Sequence, residues 1–134
     1  MGSLEALSLE PRKSKKTIVV IEDDPDIGAL LLEYLHEEQF YHVFLATDGK
    51  KALQLIQGIR PNLFVIDQLL PSMNGLEVYD HLRVMPKFET IPVLIISAGG
   101  SEEEVSKRHL PFLRKPFTLE DLDTVVNRLC PHTN

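Results

Sequence analysis

The chain has 134 residues, a formal net charge of −6 and one cysteine, Cys130. This length predicts one domain with its own core, and a lone cysteine excludes an intramolecular disulfide and favours a reducing, cytoplasmic compartment. The negative charge argues against direct nucleic-acid binding, which needs basic residues gathered on one face. No apolar run approaches the ~20 residues of a membrane span, so we expect no membrane partner.

The two ends of the chain are predicted to lie outside the folded domain. Residues 1–16 have no sustained period and contain Pro11, so we expect a disordered leader, and Met1-Gly2-Ser3 is typical of a tag remnant. The basic cluster within it, Arg12 to Lys16, is interpreted as a solvated flank of the first strand. The predicted domain is 17–130, followed by a short tail at 131–134.

Short apolar runs alternate with helical periods along the whole domain. Aspartates and a threonine stand where helix caps are expected, at Asp24, Asp48 and Thr118. The predicted strands are 17–22, 41–46, 62–67, 91–96 and 112–114, and the predicted helices are 25–38, 48–58, 75–85 and 118–129.

This alternation predicts an α/β fold built on a single doubly wound, five-stranded parallel sheet. The expected strand order is 2-1-3-4-5, with helices on both faces. The run 63–66 is apolar at every position, which predicts a central strand buried on both faces. The carboxyl end of such a strand lies where open α/β sheets place their chemistry.

Acidic residues follow two of the predicted strands. Asp67 ends the central strand, and Glu22, Asp23 and Asp24 end the first strand, which should lie beside it. Each like-charge pair about 4 Å apart costs roughly 4 kcal/mol at an effective dielectric near 20. Lys115, at a later strand end, cannot offset that cost alone. A hard divalent cation can, and ligands that are all oxygen favour Mg²⁺.

Four motifs, taken in this order, resemble the receiver domain of two-component response regulators. They are Val20-Ile21-Glu22-Asp23-Asp24-Pro25, the stretch from Asp67 through Pro71 to Gly75, Ile95-Ile96-Ser97-Ala98, and Lys115-Pro116-Phe117. The resemblance covers roughly 17–130 and implies a flavodoxin-like fold. It also implies a signalling function, in which the domain takes a phosphoryl group from the phosphohistidine of a sensor histidine kinase or phosphotransfer protein, or from a small acyl phosphate.

The resemblance implies a role for each polar residue at these strand ends. Asp67 would accept the phosphoryl group, Lys115 would pair with one of its oxygens, and Ser97 would offer a hydroxyl. The bond from Lys115 to Pro116 is expected to be cis. Asp24 is better interpreted as a helix cap than as a metal ligand. The implied Mg²⁺ ligands are Glu22 through water, Asp23, Asp67 and the Leu69 backbone carbonyl, and the implied switch residues are Ser97 and Phe112.

The sequence departs from the family pattern between Ser97 and Lys115, where it is shorter by roughly one turn of about 3.6 residues. Ser101 and Glu104 resemble a capping box, but Val105 is the only apolar residue before Leu110. We therefore expect a fourth helix of one or two turns at most, mobile or irregular. Because receivers commonly dimerise through this surface, we expect a monomer or a weak dimer.

Three further positions differ from the common pattern. Phe112 stands where the family keeps a switching aromatic, often tyrosine, so a switch here would depend on packing alone, and a core-filling role stays open. Leu69 and Gly99 flank the phosphate in the family, and neither carries a polar side chain that could orient water. We therefore expect slow self-dephosphorylation.

Other functions fit parts of the pattern. A magnesium-dependent phosphatase with an aspartyl nucleophile needs a second acid two residues later, where Leu69 stands. A flavodoxin-like cofactor binder needs a Gly-, Ser- or Thr-rich loop after the first strand, where the acids from Glu22 onward would repel phosphate. A docking module that signals without phosphorylation stays open. We expect no enzyme activity beyond self-phosphorylation and slow self-dephosphorylation, and the downstream protein or output domain stays undefined.

Overall fold

The computed structural model describes residues 15–37, 41–99 and 102–131, in which strands and helices alternate as predicted. Most of the expected leader, 1–14, and the tail residues 132–134 lie outside this description. No helix in the described ranges is both long and apolar enough to cross a membrane. The strands are β1 (Lys16–Ile21), β2 (Tyr41–Ala46), β3 (Leu63–Asp67), β4 (Val93–Ser97) and β5 (Phe112–Arg114), and the helices are α1 (Pro25–Glu37), α2 (Gly49–Leu55), α3 (Gly75–Arg83), α4 (Glu102–Lys107) and α5 (Leu119–Leu129).

The five strands form one parallel sheet in the order β2-β1-β3-β4-β5. This confirms the predicted doubly wound, flavodoxin-like fold and its strand order. In the pairing register Ile21 lies beside Ile66, Asp67 beside Ile96, and Ser97 beside Arg114. The carboxyl ends of β1, β3, β4 and β5 therefore meet at one edge of the sheet.

Two apolar clusters cover the two faces of the sheet. Phe64 and Ile66 of β3 face the cluster that includes residues of α2, α3 and α4, whereas Leu63 and Val65 face the cluster that includes residues of α1 and α5. All positions of β3 and β4 are buried, which confirms the central place predicted for β3. Burial of each large apolar side chain contributes about 1.5–3 kcal/mol, so this two-sided core fixes the strand ends firmly.

The helix caps follow the sequence closely. Asp48 accepts a hydrogen bond from the Lys51 N–H at 2.8 Å, and Thr118 and Asp121 form the predicted reciprocal box at the start of α5. A second box, formed by Asn74 and Glu77 at the start of α3, was not predicted. This box begins α3 immediately after the loop that follows Asp67.

Some element boundaries differ from the predictions by one or two residues. β1 begins at Lys16, inside the predicted leader, because its pairing with β2 already starts there. β4 begins at Val93 rather than at 91, since Pro92 has no N–H to donate to a ladder. α3 ends at Arg83 because the N–H groups of Val84 and Met85 bond to carbonyls three residues back, which tightens the last turn.

The fourth helix is short, as predicted, with six residues. Its Val105 is fully buried in the core. Arg108, just after the helix, donates two hydrogen bonds to the Asp80 carboxylate of α3, at 3.0 and 2.9 Å. One buried side chain and a bidentate ion pair therefore tie this segment to the domain, and its expected mobility stays a prediction. The expected Ser101 cap lies outside the described residues.

Gly75 lets the loop after β3 fold back onto Asp67. Its N–H donates to the Gln68 carbonyl at 2.9 Å. A Cβ added at Gly75 would overlap the Asp67 carbonyl oxygen and would lie 2.9 Å from the Gln68 Cα. These are backbone atoms of the strand end, so they cannot yield without displacing Asp67.

Gly75→Ala is expected to lower the free energy of unfolding by about 2 kcal/mol or more, because of this backbone overlap. Gly58→Ala is the matched control, since a Cβ there meets no atom within 4 Å and its change should stay within about 0.5 kcal/mol. Urea unfolding monitored by circular dichroism measures both variants. Equal effects of the two substitutions would contradict the overlap.

Candidate functional site

The carboxyl edge of the sheet brings together side chains from three distant parts of the chain. Glu22 follows β1, Asp67 ends β3, and Lys115 follows β5. The Lys115 Nζ donates a hydrogen bond to Asp67 Oδ2 at 3.2 Å and lies 4.0 Å from Glu22 Oε1. The predicted convergence at one edge is thus present in the structure.

Three carboxylates form a group at this edge. Glu22, Asp23 and Asp67 each offer an oxygen, and these oxygens lie within 4.8 Å of one another. Glu22 is 1% exposed and Asp67 is 4% exposed, whereas Asp23 is open to solvent. Glu22 Oε1 is buried and has no hydrogen-bond partner among the described residues. An all-oxygen group with one unsatisfied buried atom fits a hard cation such as Mg²⁺.

Asp24, beside two of these acids, has a different role. Its Oδ1 accepts hydrogen bonds from the N–H groups of Asp26 and Ile27, at 2.8 and 3.2 Å. It therefore caps α1, as predicted, and its carboxylate is not part of the group of three.

The buried Glu22 carboxyl holds its proton to an unusually high pH. Burial, followed by the neighbouring Asp67 carboxylate, raises the pKa of Glu22 to about 8, although the backbone N–H of Asp24 opposes this shift. A buried carboxylate beside a second carboxylate is costly, because neither charge is fully hydrated. Burial and the neighbouring carboxylate therefore favour the protonated form of Glu22.

Asp67 is oriented by hydrogen bonds to both of its oxygens. Its Oδ1 accepts from the Leu69 N–H at 3.0 Å, and its Oδ2 accepts from Lys115. The Gln68 N–H donates to the Ile96 carbonyl at 2.9 Å, which ties the residue after Asp67 to β4. These contacts hold the carboxylate in a fixed orientation at a rigid strand end. The predicted role of the Leu69 carbonyl as a metal ligand stays a prediction.

Ser97 lies at the end of β4, fully buried, on the same edge. Its Oγ accepts a hydrogen bond from the Gly99 N–H at 3.1 Å. Its carbonyl accepts from the Lys115 N–H at 2.7 Å, which fixes the backbone of the lysine next to the serine. The bond between Lys115 and Pro116 is cis, as expected from the resemblance.

Phe112, the proposed switch residue, starts β5 at the end of the sheet and is 37% exposed. A core-filling role for Phe112 is therefore wrong, because the edge strand leaves part of the ring open to solvent. Its role as a switch stays a prediction.

The two positions that flank the proposed phosphoryl site differ in shape. Leu69 is 60% exposed and presents an apolar side chain. Gly99 has φ +100°, a conformation that favours glycine, and the guanidinium of Arg114 packs against it. Sequence reasoning missed Arg114, since nothing in the local pattern places an edge-strand arginine over a glycine fifteen positions earlier.

A family model described as the response regulator receiver domain matches residues 18–127. The chain belongs to this family.

Receiver domains occur both as most of a protein and as a small part of a larger one among the relatives. Sporulation initiation phosphotransferase F of Bacillus subtilis is 29% identical over 85% of this chain and 93% of its own length. Hybrid signal transduction histidine kinase D of Dictyostelium discoideum is 30% identical over 86% of this chain, but the match spans 8% of that protein. Among the curated relatives, the share spanned thus ranges from most of the length to a small fraction.

Solved structures share the fold. The receiver domain of Francisella response regulator 1452 has a TM-score of 0.78 at 29% identity, covering 90% of this chain and 100% of that one. The receiver domain of sensor histidine kinase PA1611 from Pseudomonas aeruginosa has a TM-score of 0.79 at 22% identity, covering 87% and 98%. In that crystal structure a magnesium ion is coordinated in the active site cleft.

The raised pKa of Glu22 predicts how stability depends on pH in the absence of divalent ions. Between pH 4.5 and about pH 8 the folded state binds more protons than the unfolded state, because Glu22 stays protonated only when folded. The free energy of unfolding is therefore unaffected below this range and falls as the pH rises through it. Glu22→Gln removes this loss, and at pH 8.5 the variant should be more stable than wild type by about 2 kcal/mol.

Urea unfolding in EDTA at pH 5.5 and pH 8.5 measures this difference. Glu89→Gln is the control, since Glu89 is exposed on a loop and its replacement should leave the pH profile unchanged. A wild-type profile that runs parallel to that of Glu22→Gln would contradict the buried, protonated carboxyl.

Proposed function

We propose that this domain is a working phosphoacceptor, with Asp67 as the residue that carries the phosphoryl group. The observation that supports this most directly is the contact of Lys115 Nζ with Asp67 Oδ2 at 3.2 Å, beside the Glu22 and Asp23 carboxylates. Phosphoryl transfer needs positioning of the nucleophile and cations around the transferred oxygens. Lys115 supplies one cation, and the carboxylate group is suited to hold another.

The proposed cofactor is Mg²⁺. Glu22 and Asp23 would hold it together with Asp67, and the Leu69 carbonyl is the further ligand implied by the resemblance. When bound, the ion neutralises charge on the phosphoryl oxygens and on the crowded carboxylates. A cation at this site would also displace the proton that burial leaves on Glu22.

The transfer step conserves atoms and charge with no further reactant. A carboxylate oxygen of Asp67 forms a bond to phosphorus while the bond from phosphorus to the donor nitrogen of a phosphohistidine breaks. The electron pair of that bond stays on the imidazole, which then takes a proton. Lys115 pairs with a phosphoryl oxygen, and the Ser97 hydroxyl, now an acceptor for Gly99, can donate to another.

The proposed phosphodonor is a histidine kinase or a phosphotransfer protein. Relatives of this chain include a sensor histidine kinase of Ectopseudomonas mendocina, 30% identical over 84% of this chain, and the phosphotransferase of Bacillus subtilis. A small acyl phosphate could supply the same group, since the chemistry at Asp67 is the same. The phosphorylated state would be relayed to a downstream protein or output domain, and no other substrate would be turned over.

Incubation with acetyl phosphate and Mg²⁺ is expected to add one phosphoryl group to the wild-type chain, measured by intact mass. Asp67→Asn should show none, because the amide is not a nucleophile toward phosphorus. Asp123→Asn, on the exposed side of α5, is the control and should behave as wild type. Absence of uptake by the wild-type chain would favour the alternative, a docking module that signals without phosphorylation.

Two neighbouring aspartates should separate metal binding from helix capping. Asp23→Asn is expected to weaken Mg²⁺ binding by roughly tenfold or more, because a hard cation loses a charged ligand. Asp24→Asn should keep wild-type affinity, since Asp24 lies outside the carboxylate group and asparagine still caps a helix.

Isothermal titration with MgCl₂ measures both affinities. The reverse pattern, with Asp24→Asn losing Mg²⁺ and Asp23→Asn keeping it, would show that the ligand register is wrong.

A further inference from the structure

The side chain of Arg114 lies across Gly99, at the rim of the proposed phosphoryl site. A Cβ built on Gly99 would lie 3.0 Å from Arg114 Nη2, 3.2 Å from Nε and 3.4 Å from Cζ. Because Cζ lies farther away than both nitrogens, the edge of the group between Nε and Nη2 faces residue 99. The guanidinium thus fills the space that a side chain at residue 99 would occupy.

The loop beneath this guanidinium is part of the phosphoryl site. Gly99 donates its N–H to the Ser97 hydroxyl at 3.1 Å, and the Ser97 carbonyl accepts from the Lys115 N–H at 2.7 Å. Arg114 lies beside Ser97 in the strand register and directly precedes Lys115. Its backbone is therefore fixed by the same ladder that positions the serine and the lysine.

The guanidinium of Arg114 is held loosely by its acidic neighbour. Its Nε lies 3.8 Å from Glu102 Oε2, and the side chain is 68% exposed. At 3.8 Å the pair is long and its arginine is exposed, so the pair contributes little to stability and the guanidinium can exchange Glu102 for another anion close by. A phosphoryl group on Asp67 would be such an anion, with its charge spread over three oxygens.

Arginine cannot activate water. Its guanidinium has five N–H donors and no acceptor, and it stays protonated in proteins, so it cannot take a proton from an attacking water. A flat cation that covers the approach from the Gly99 side therefore excludes water rather than orienting it. On the other flank, the exposed Leu69 has no polar side-chain atom either.

We propose that Arg114 covers the Gly99 side of the phosphoryl group on Asp67 and slows its hydrolysis. In that hydrolysis a water oxygen bonds to phosphorus and the bond from phosphorus to the Asp67 oxygen breaks. The electron pair returns to the carboxylate, the proton of the water passes to phosphate or solvent, and inorganic phosphate leaves. The proposal rests on the proposed phosphoacceptor function and names the residue that sets the lifetime of its product.

The test is the decay rate of the phosphorylated chain. Protein loaded with acetyl phosphate and Mg²⁺ is freed of donor by desalting, and loss of the phosphoryl group is followed by intact mass. Arg114→Ala should decay about threefold faster than wild type or more, since water gains access to phosphorus. Arg114→Met, whose longer chain still covers Gly99, should decay more slowly than Arg114→Ala.

Arg60→Ala is the matched control, because Arg60 precedes β3 at the opposite edge of the sheet and its loss removes the same charge. It should decay at the wild-type rate. The proposal is overturned if Arg114→Ala decays at the wild-type rate or more slowly, if Met and Ala accelerate decay equally, or if Arg60→Ala accelerates it as well. The Met variant also serves if the alanine variant fails to fold.

This result is separable from the proposed function itself. If the wild-type chain takes up no phosphoryl group, the phosphoacceptor function is wrong and the role of Arg114 falls with it. If uptake is normal and the decay rates are equal, Asp67 remains a phosphoacceptor and the covering role of Arg114 alone is rejected.

Discussion

Repulsion among carboxylates at one edge of the sheet is the constraint on which the rest of this structure depends. Parallel pairing brings Glu22 and Asp67 side by side, and Lys115 offsets their charge in part. A core packed on both faces of β3 holds these groups together despite the cost. The raised pKa of Glu22 is a direct result, because burial beside a second carboxylate disfavours its charged form.

Backbone N–H groups at this edge of the sheet give the neighbouring aspartates different hydrogen-bond partners. Asp23 and Asp24 are adjacent and chemically identical, yet only Asp24 accepts hydrogen bonds from the first N–H groups of α1. Asp67 is held by the Leu69 N–H, and Gly75 allows the following loop to close against it. Local hydrogen bonds thus give chemically equivalent side chains different surroundings, a helix cap at Asp24 and a strand-end carboxylate at Asp67.

Two arginines compensate for the short segment between β4 and β5. Arg108 ties the end of α4 to Asp80 of α3, and Arg114 reaches from β5 across Gly99 toward Glu102. A helix of six residues has little intrinsic stability, so these contacts and the buried Val105 fix its place. The same surface therefore combines anchoring of the helix with cover for the loop beside Ser97.

The sequence by itself determined the order of elements, the parallel sheet and the edge at which the acids meet. Apolar runs, helix caps such as Thr118, and Pro116 after Lys115 are local signals, and parallel connectivity leaves few topologies. Only the tertiary structure decided the protonation of Glu22, the exposure of Phe112 and the contacts of Arg108 and Arg114. These depend on neighbours distant in sequence and on burial, because solvation and ion pairing are set by three-dimensional surroundings rather than by periodicity.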